Sequence, residues 1–139
     1  LKIILFGSYA RGDWVEDPVG RYFSDFDLLV VVSDERLTDA WELWEGAEKR
    51  LLSELVSGQR LRTPVSFVVH SLEDVNRQLE LGRYFWVDVM RDGVVLLDTP
   101  GAELVEPRPM SAETTLMSPR SPRRSIRIAT RLCGSNWQR

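Results

Sequence analysis

The sequence predicts an α/β (α+β) domain: a mixed β-sheet with helices packed on one face. Three observations carry this expectation. Short apolar runs rich in strand formers recur at Leu1–Phe6, Leu28–Val32, Val65–Val69 and Val94–Leu97, each too short for a helix and bounded by polar or turn residues. Between the second and third lies a stretch with helical spacing, Leu37, Trp41, Trp44, Leu51 and Leu55. Between the third and fourth lie two shorter amphipathic stretches.

Taken in order, the first strand, near residues 2–7, stops at Gly7-Ser8, where a small residue lets backbone N–H groups approach a ligand such as phosphate. A short helix follows. The segment from Asp13 to Arg21 is polar, with Pro18 and Gly20 as breakers, and is expected to be a loop at the mouth of the site. Asp25-Phe26-Asp27 then opens the second strand, residues 26–32. Side chains alternate along a strand, so Asp25 and Asp27 share a face about 7 Å apart, a separation at which two carboxylates can share hard cations.

A helix is predicted over Arg36–Val56, capped by Ser33 or Asp34 and ended by Gly58, with Glu45 and Lys49 paired on its exposed face and Trp41 and Trp44 in the core. Pro64 precedes the third strand, residues 65–69. Ser71-Leu72-Glu73-Asp74 reads as a capping box for a helix ending near Gly82. Phe85, Trp86, Val89 and Met90 mark another, and Asp92-Gly93 turns the chain into the last strand. His70, at a strand end, reads as a half-buried or loop residue rather than a ligand.

The 139 residues suffice for one domain, expected over residues 1–106. No apolar run is long enough to span a bilayer, and the single Cys133 cannot form an internal disulfide; a cytoplasmic setting is expected. The net charge of -3 conceals a split: 11 Lys and Arg against 20 Asp and Glu over residues 1–107, and 7 against 1 over residues 108–139. An acidic body repels a nucleic-acid backbone, and the basic end lacks interleaved aromatics, so nucleic acid is disfavoured as a partner. Residues 107–139, rich in Pro, Ser and Arg, are expected to be a linker and a disordered or out-of-frame tail.

Gly7-Ser8, Arg11-Gly12 and Ser24-Asp25-Phe26-Asp27-Leu28 together resemble the signature of the polymerase-beta-like nucleotidyltransferase superfamily, most nearly its small bacterial members related to kanamycin nucleotidyltransferase and the minimal nucleotidyltransferases. The resemblance implies Mg²⁺-dependent (or Mn²⁺-dependent) transfer of a nucleoside monophosphate from an NTP to a hydroxyl of a small molecule or partner protein. Asp25 and Asp27 would be the catalytic, metal-binding carboxylates, and Gly7, Ser8 and Arg11 the nucleotide-binding residues. It implies a helix ahead of the first strand, so the chain is expected to begin inside the domain. It also implies a HEPN-type domain or protein as a partner.

Two departures stand out. The segment between Gly7-Ser8 and the Asp pair is several residues longer than in minimal members. The third carboxylate that active members carry on the next strand aligns with Ser66. A hydroxyl replaces a carboxylate neither as base nor as strong Mg²⁺ ligand, so the alternative reading is a catalytically weak or inactive nucleotide-binding or partner-binding module, of the toxin–antitoxin-like kind associated with HEPN proteins.

Overall fold

The computed structural model describes residues 1–20 and 22–108. The expectation for the basic tail from residue 109 onward lies outside the described residues.

Four strands form the main sheet: β1 (Lys2–Phe6), β4 (Phe26–Val32), β5 (Val65–Ser71) and β6 (Val94–Asp98), in the order β5-β4-β1-β6. β1 runs antiparallel to both β4 and β6, whereas β4 and β5 are parallel, so the sheet is mixed. The parallel pair is joined by a helical crossover, α2 (Trp41–Ser57), as parallel strands require. Helices α3 (Leu72–Glu80) and α4 (Tyr84–Asp92) pack on one face, giving the expected architecture. There Ile4, Leu29 and Val31 of the sheet meet Val75 and Leu79 of α3 and Trp86 and Val89 of α4, all buried. Leu104 and Val105, beyond β6, return to this cluster.

The opposite side chains of β4, Val30 and Val32, join Phe67 of β5 in a second cluster against which Trp44, Ala47 and Leu51 of α2 pack. No residue of α2 is fully buried, and an open apolar pocket of about 860 Å³ lies between part of the helix and the sheet, lined in part by Ile3, Leu28, Val30, Leu51 and Phe67. β6 is an edge strand whose Val94–Leu97 are exposed.

The helix predicted over Arg36–Val56 is broken. A 3₁₀ turn spans Glu35–Leu37, capped by the Asp34 side chain accepting from the Arg36 amide, and α2 begins only at Trp41. Thr38 Oγ1 donates to the Glu35 carbonyl at 2.6 Å and Trp44 Nε1 to the Leu37 carbonyl at 2.6 Å, alongside the Thr38 and Ala40 amides bonded to the same carbonyls, which favours tight turns here over a continuous helix. Trp44 therefore packs as expected, its ring 5.9 Å from that of Phe67, but Trp41 sits at the helix start and is 59 % exposed rather than core. The Glu45–Lys49 pair forms at 2.9 Å, and Gly58, in the left-handed region, ends the helix.

Ser71 caps α3 as expected, accepting from the Asp74 amide at 3.2 Å while donating to Glu35. His70 is half-buried. Its Nδ1 lies 2.8 Å from Asp74 Oδ2 and its ring meets the edge of Trp86. The segment expected to be a loop forms a hairpin instead, β2 (Glu16–Asp17) with β3 (Tyr22–Phe23). Asp17-Pro18-Val19-Gly20 supplies Asp, Pro and Gly at the first, second and fourth positions of a turn, and Asp17 Oδ1 accepts from the amides of Val19 and Gly20. Among the described residues, no helix is long and apolar enough to cross a membrane.

Candidate functional site

The site is built where β1 ends beside the start of β4. Their antiparallel register pairs Phe6 with Asp27, so the residue after Phe6 turns directly over the Asp27 side chain. That residue is Gly7, with φ of 76°, and it opens the short helix α1 (Gly7–Arg11). A Cβ placed on Gly7 would lie 2.6 Å from Asp27 Oδ2. Glycine is thus required twice: for the left-handed backbone and for the room the carboxylate occupies. The sequence's pairing of Gly7-Ser8 with Asp27 is therefore a spatial one.

Asp25 precedes β4 by one residue and is exposed, whereas Asp27 is half-buried within it. Partial desolvation nevertheless pushes the Asp25 carboxyl above its ordinary value, the direction expected when the charged form loses water. A cation at this point would favour the ionised form.

The parallel register of β4 and β5 pairs Asp27 with Ser66. Partners in adjacent strands project from the same face, so the Ser66 hydroxyl stands beside the Asp27 carboxylate, as the alignment of Ser66 with a third acid requires. Among the described residues, no group of three or more His, Cys, Asp or Glu side chains is gathered closely enough to hold a metal ion. Arg11 Nε lies 3.2 Å from Asp13 Oδ2, in an exposed ion pair.

The hairpin is anchored against this corner. Ser24 is buried, its amide donates to the Val15 carbonyl and its Oγ accepts from the Val15 amide, both at 3.0 Å. Tyr9 of α1 stacks on Trp14, with rings 5.5 Å apart and 4° from parallel, and also touches Phe26 at 4.2 Å. These aromatic contacts escaped sequence reasoning, although Trp14 in an otherwise polar insertion was their signal. The apolar cavity under α2 lies against the other face of the sheet and is separate from the Asp pair.

No curated protein and no solved structure matches the chain. Residues 1–80, more than half of it, match the family model described as Nucleotidyltransferase domain, which spans β1, the Gly7 turn, both aspartates, Ser66 and α3. The chain belongs to the nucleotidyltransferase domain family, within the polymerase-beta-like nucleotidyltransferase superfamily.

Proposed function

We propose that the corner formed by Gly7, Ser8, Asp25 and Asp27 binds an NTP with Mg²⁺ and supports transfer of its nucleoside monophosphate to a hydroxyl of a small molecule or partner protein. The observation that carries this reading is the seating of Asp27 directly beneath Gly7. It brings the phosphate-binding turn and a carboxylate within one ligand's reach. The donor set suits Mg²⁺, which favours one or two protein carboxylates completed by substrate phosphates over an all-protein cage. Asp25 and Asp27 would hold it, and when bound it would neutralise the triphosphate and the leaving pyrophosphate.

In the transfer, the acceptor oxygen bonds to the α-phosphorus while the bond to the β-phosphate oxygen breaks and pyrophosphate departs. The Gly7 and Ser8 amides and the Ser8 hydroxyl hold the outer phosphates. Asp25 and Asp27, through the cation they would hold, would keep the α-phosphate in line. The acceptor must also lose a proton, and here the placement of Ser66 beside Asp27 favours a second reading, because a neutral hydroxyl is a poor base. On that reading the domain binds nucleotide and turns over slowly or not at all, serving a partner such as the HEPN-type protein that the resemblance implies.

The test is thermal unfolding of the whole chain with each NTP, with and without Mg²⁺ or Mn²⁺, followed by incubation with α-labelled NTP and co-expressed candidate acceptors. Nucleotide should stabilise only with the metal, by mass action on the folded state. Asp25→Asn and Asp27→Asn should remove most of that shift. Label reaching an acceptor establishes the transferase, and binding without transfer establishes the second reading. Stabilisation that is independent of metal and of both aspartates overturns the site.

A further inference from the structure

We propose that the aromatic hairpin β2–β3 is the nucleobase platform of this site, with Trp14 and Phe23 stacking on the base of the bound NTP. The inference rests on the nucleotide-site reading and specifies where the nucleoside lies.

Strand alternation sets the geometry. Glu16 pairs with Phe23 and Asp17 with Tyr22, and the backbone bond from Ser24 to Val15 extends the ladder one step toward the site. Ser24 turns inward, buried, with its hydroxyl on the Val15 amide. Within the ladder Phe23 and its pair Glu16 project to one side and Tyr22 and Asp17 to the other. Phe23 stands two residues before Asp25, and Trp14 stacks on Tyr9, which packs on Phe26, the residue after Asp25. Trp14 and Phe23 are about half exposed, at 49 % and 52 %.

Trp14 is held in place as well as exposed. One face of its indole is stacked on Tyr9, itself braced against Phe26 at the head of β4 and only one residue from Ser8. A half-exposed ring held by a parallel neighbour loses little freedom when a second ring settles on it. Charge makes this surface a poorer place for phosphates than for a base: Asp13, Glu16 and Asp17 belong to the hairpin segment, and Arg11 is paired with Asp13. With the outer phosphates at Gly7-Ser8 and the α-phosphate at the aspartates, the uncharged base is the part of the nucleotide that suits an acidic, aromatic shelf beyond Asp25. Stacking of this kind is tolerant of base identity, because every base has a π-face.

The experiment measures binding of each Mg·NTP and of Mg·tripolyphosphate to the full chain by titration calorimetry, comparing wild type with Trp14→Leu, Phe23→Leu and Tyr22→Leu. Loss of one stacking ring typically weakens binding by roughly 5- to 100-fold. Trp14→Leu and Phe23→Leu should each weaken NTP binding by about that factor and leave tripolyphosphate within about twofold. Tyr22→Leu, on the hairpin's other side, should change neither ligand. Retained tripolyphosphate affinity also reports that the variants are folded. NTP binding that survives both substitutions overturns the platform while leaving the phosphate site standing. So does an equal loss of NTP and tripolyphosphate, which places the damage at the phosphates. If wild type binds neither ligand, the nucleotide-site reading falls and the platform with it.

Discussion

Replacing Ser66 by aspartate tests the register of the site and the proposed consequence of a serine at the third carboxylate's position together. The substitution adds a second carboxylate beside Asp27, on a strand about 4.8 Å away. Two unit charges about 5 Å apart repel by roughly 3 kcal/mol at an effective dielectric of 20 and by under about 1 kcal/mol in bulk water. Asp27 is half-buried and Asp25 exposed, so Ser66→Asp should cost between these limits, about 1–2 kcal/mol without metal. For a domain of this size that is a fall of roughly 4–10 °C in Tm. Mg²⁺ or Mn²⁺ should reverse the loss, and the metal's affinity for the variant should exceed its affinity for wild type. Label transfer from NTP to an acceptor should rise as well. Scanning calorimetry with and without metal reads the first two effects, and added NaCl should shrink the metal-free penalty by screening. An unchanged Tm without metal together with unchanged metal affinity would show that position 66 does not face Asp27, and the account of the third carboxylate would fall.

Other outcomes follow from the same geometry. Gly7→Ala should lower stability by about 1–2 kcal/mol from the left-handed backbone alone, more from the contact with Asp27, and should abolish metal-dependent stabilisation by NTP; denaturant unfolding measures it. Leu79→Ala, at a fully buried position of α3, should cost about 2–5 kcal/mol by chemical denaturation. The Arg36 guanidinium and amide hold the exposed Asp34 carboxyl down to about 2 from an ordinary 3.8. Its contribution to stability is therefore fully present above pH 3.8 and lost as pH falls through about 2; carboxyl NMR titration should show that midpoint, and Arg36→Ala should raise it. Asp25 behaves oppositely: because burial raises its carboxyl, its ionisation costs stability, a cost that is relieved as pH falls through the raised value. Mg²⁺ binding should accordingly weaken in the same descent and release less than one proton per ion well above it.

The strands were legible because each is a short apolar run with an abrupt polar edge, and α3 because Ser71 and Asp74 form a local cap. What escaped was decided by contacts between distant residues or by side chains competing for the backbone. Nothing in the spacing of Leu37, Trp41 and Trp44 announces that the Trp44 indole will take the Leu37 carbonyl and end a turn there. The hairpin was legible in its turn residues, yet its strands are only two residues each, below the length at which alternation stands out. The place of β6 beside β1, and the space beneath α2, depend on long-range packing that periodicity does not carry.

For the site, alternation alone set Asp25 and Asp27 on one face, but the meeting of Gly7, Asp27 and Ser66 depends on two registers, and these are enforced from outside the site. In the parallel pair, Leu28 lies beside Phe67 and Val30 beside Val69, with Phe67 buried in the α2-facing cluster. A slip of β5 by one residue would turn Phe67 to the face of α3 and α4, where Leu29 and Val31 already pack, and would set Ser66 in the apolar layer beneath α2. The Phe26 amide bonded to the Pro64 carbonyl at 2.9 Å holds the start of the pair in the same phase. On the other side, Ile4 faces the α3 and α4 cluster beside Leu29, which fixes Phe6 against Asp27 and so brings Gly7 over the carboxylate. The same hydrophobic pattern that folds the sheet therefore leaves no freedom to bring a different β5 residue beside Asp27. A carboxylate of β5 can take that place only by substitution at position 66, and that is why the proposed chemistry of this corner turns on one serine.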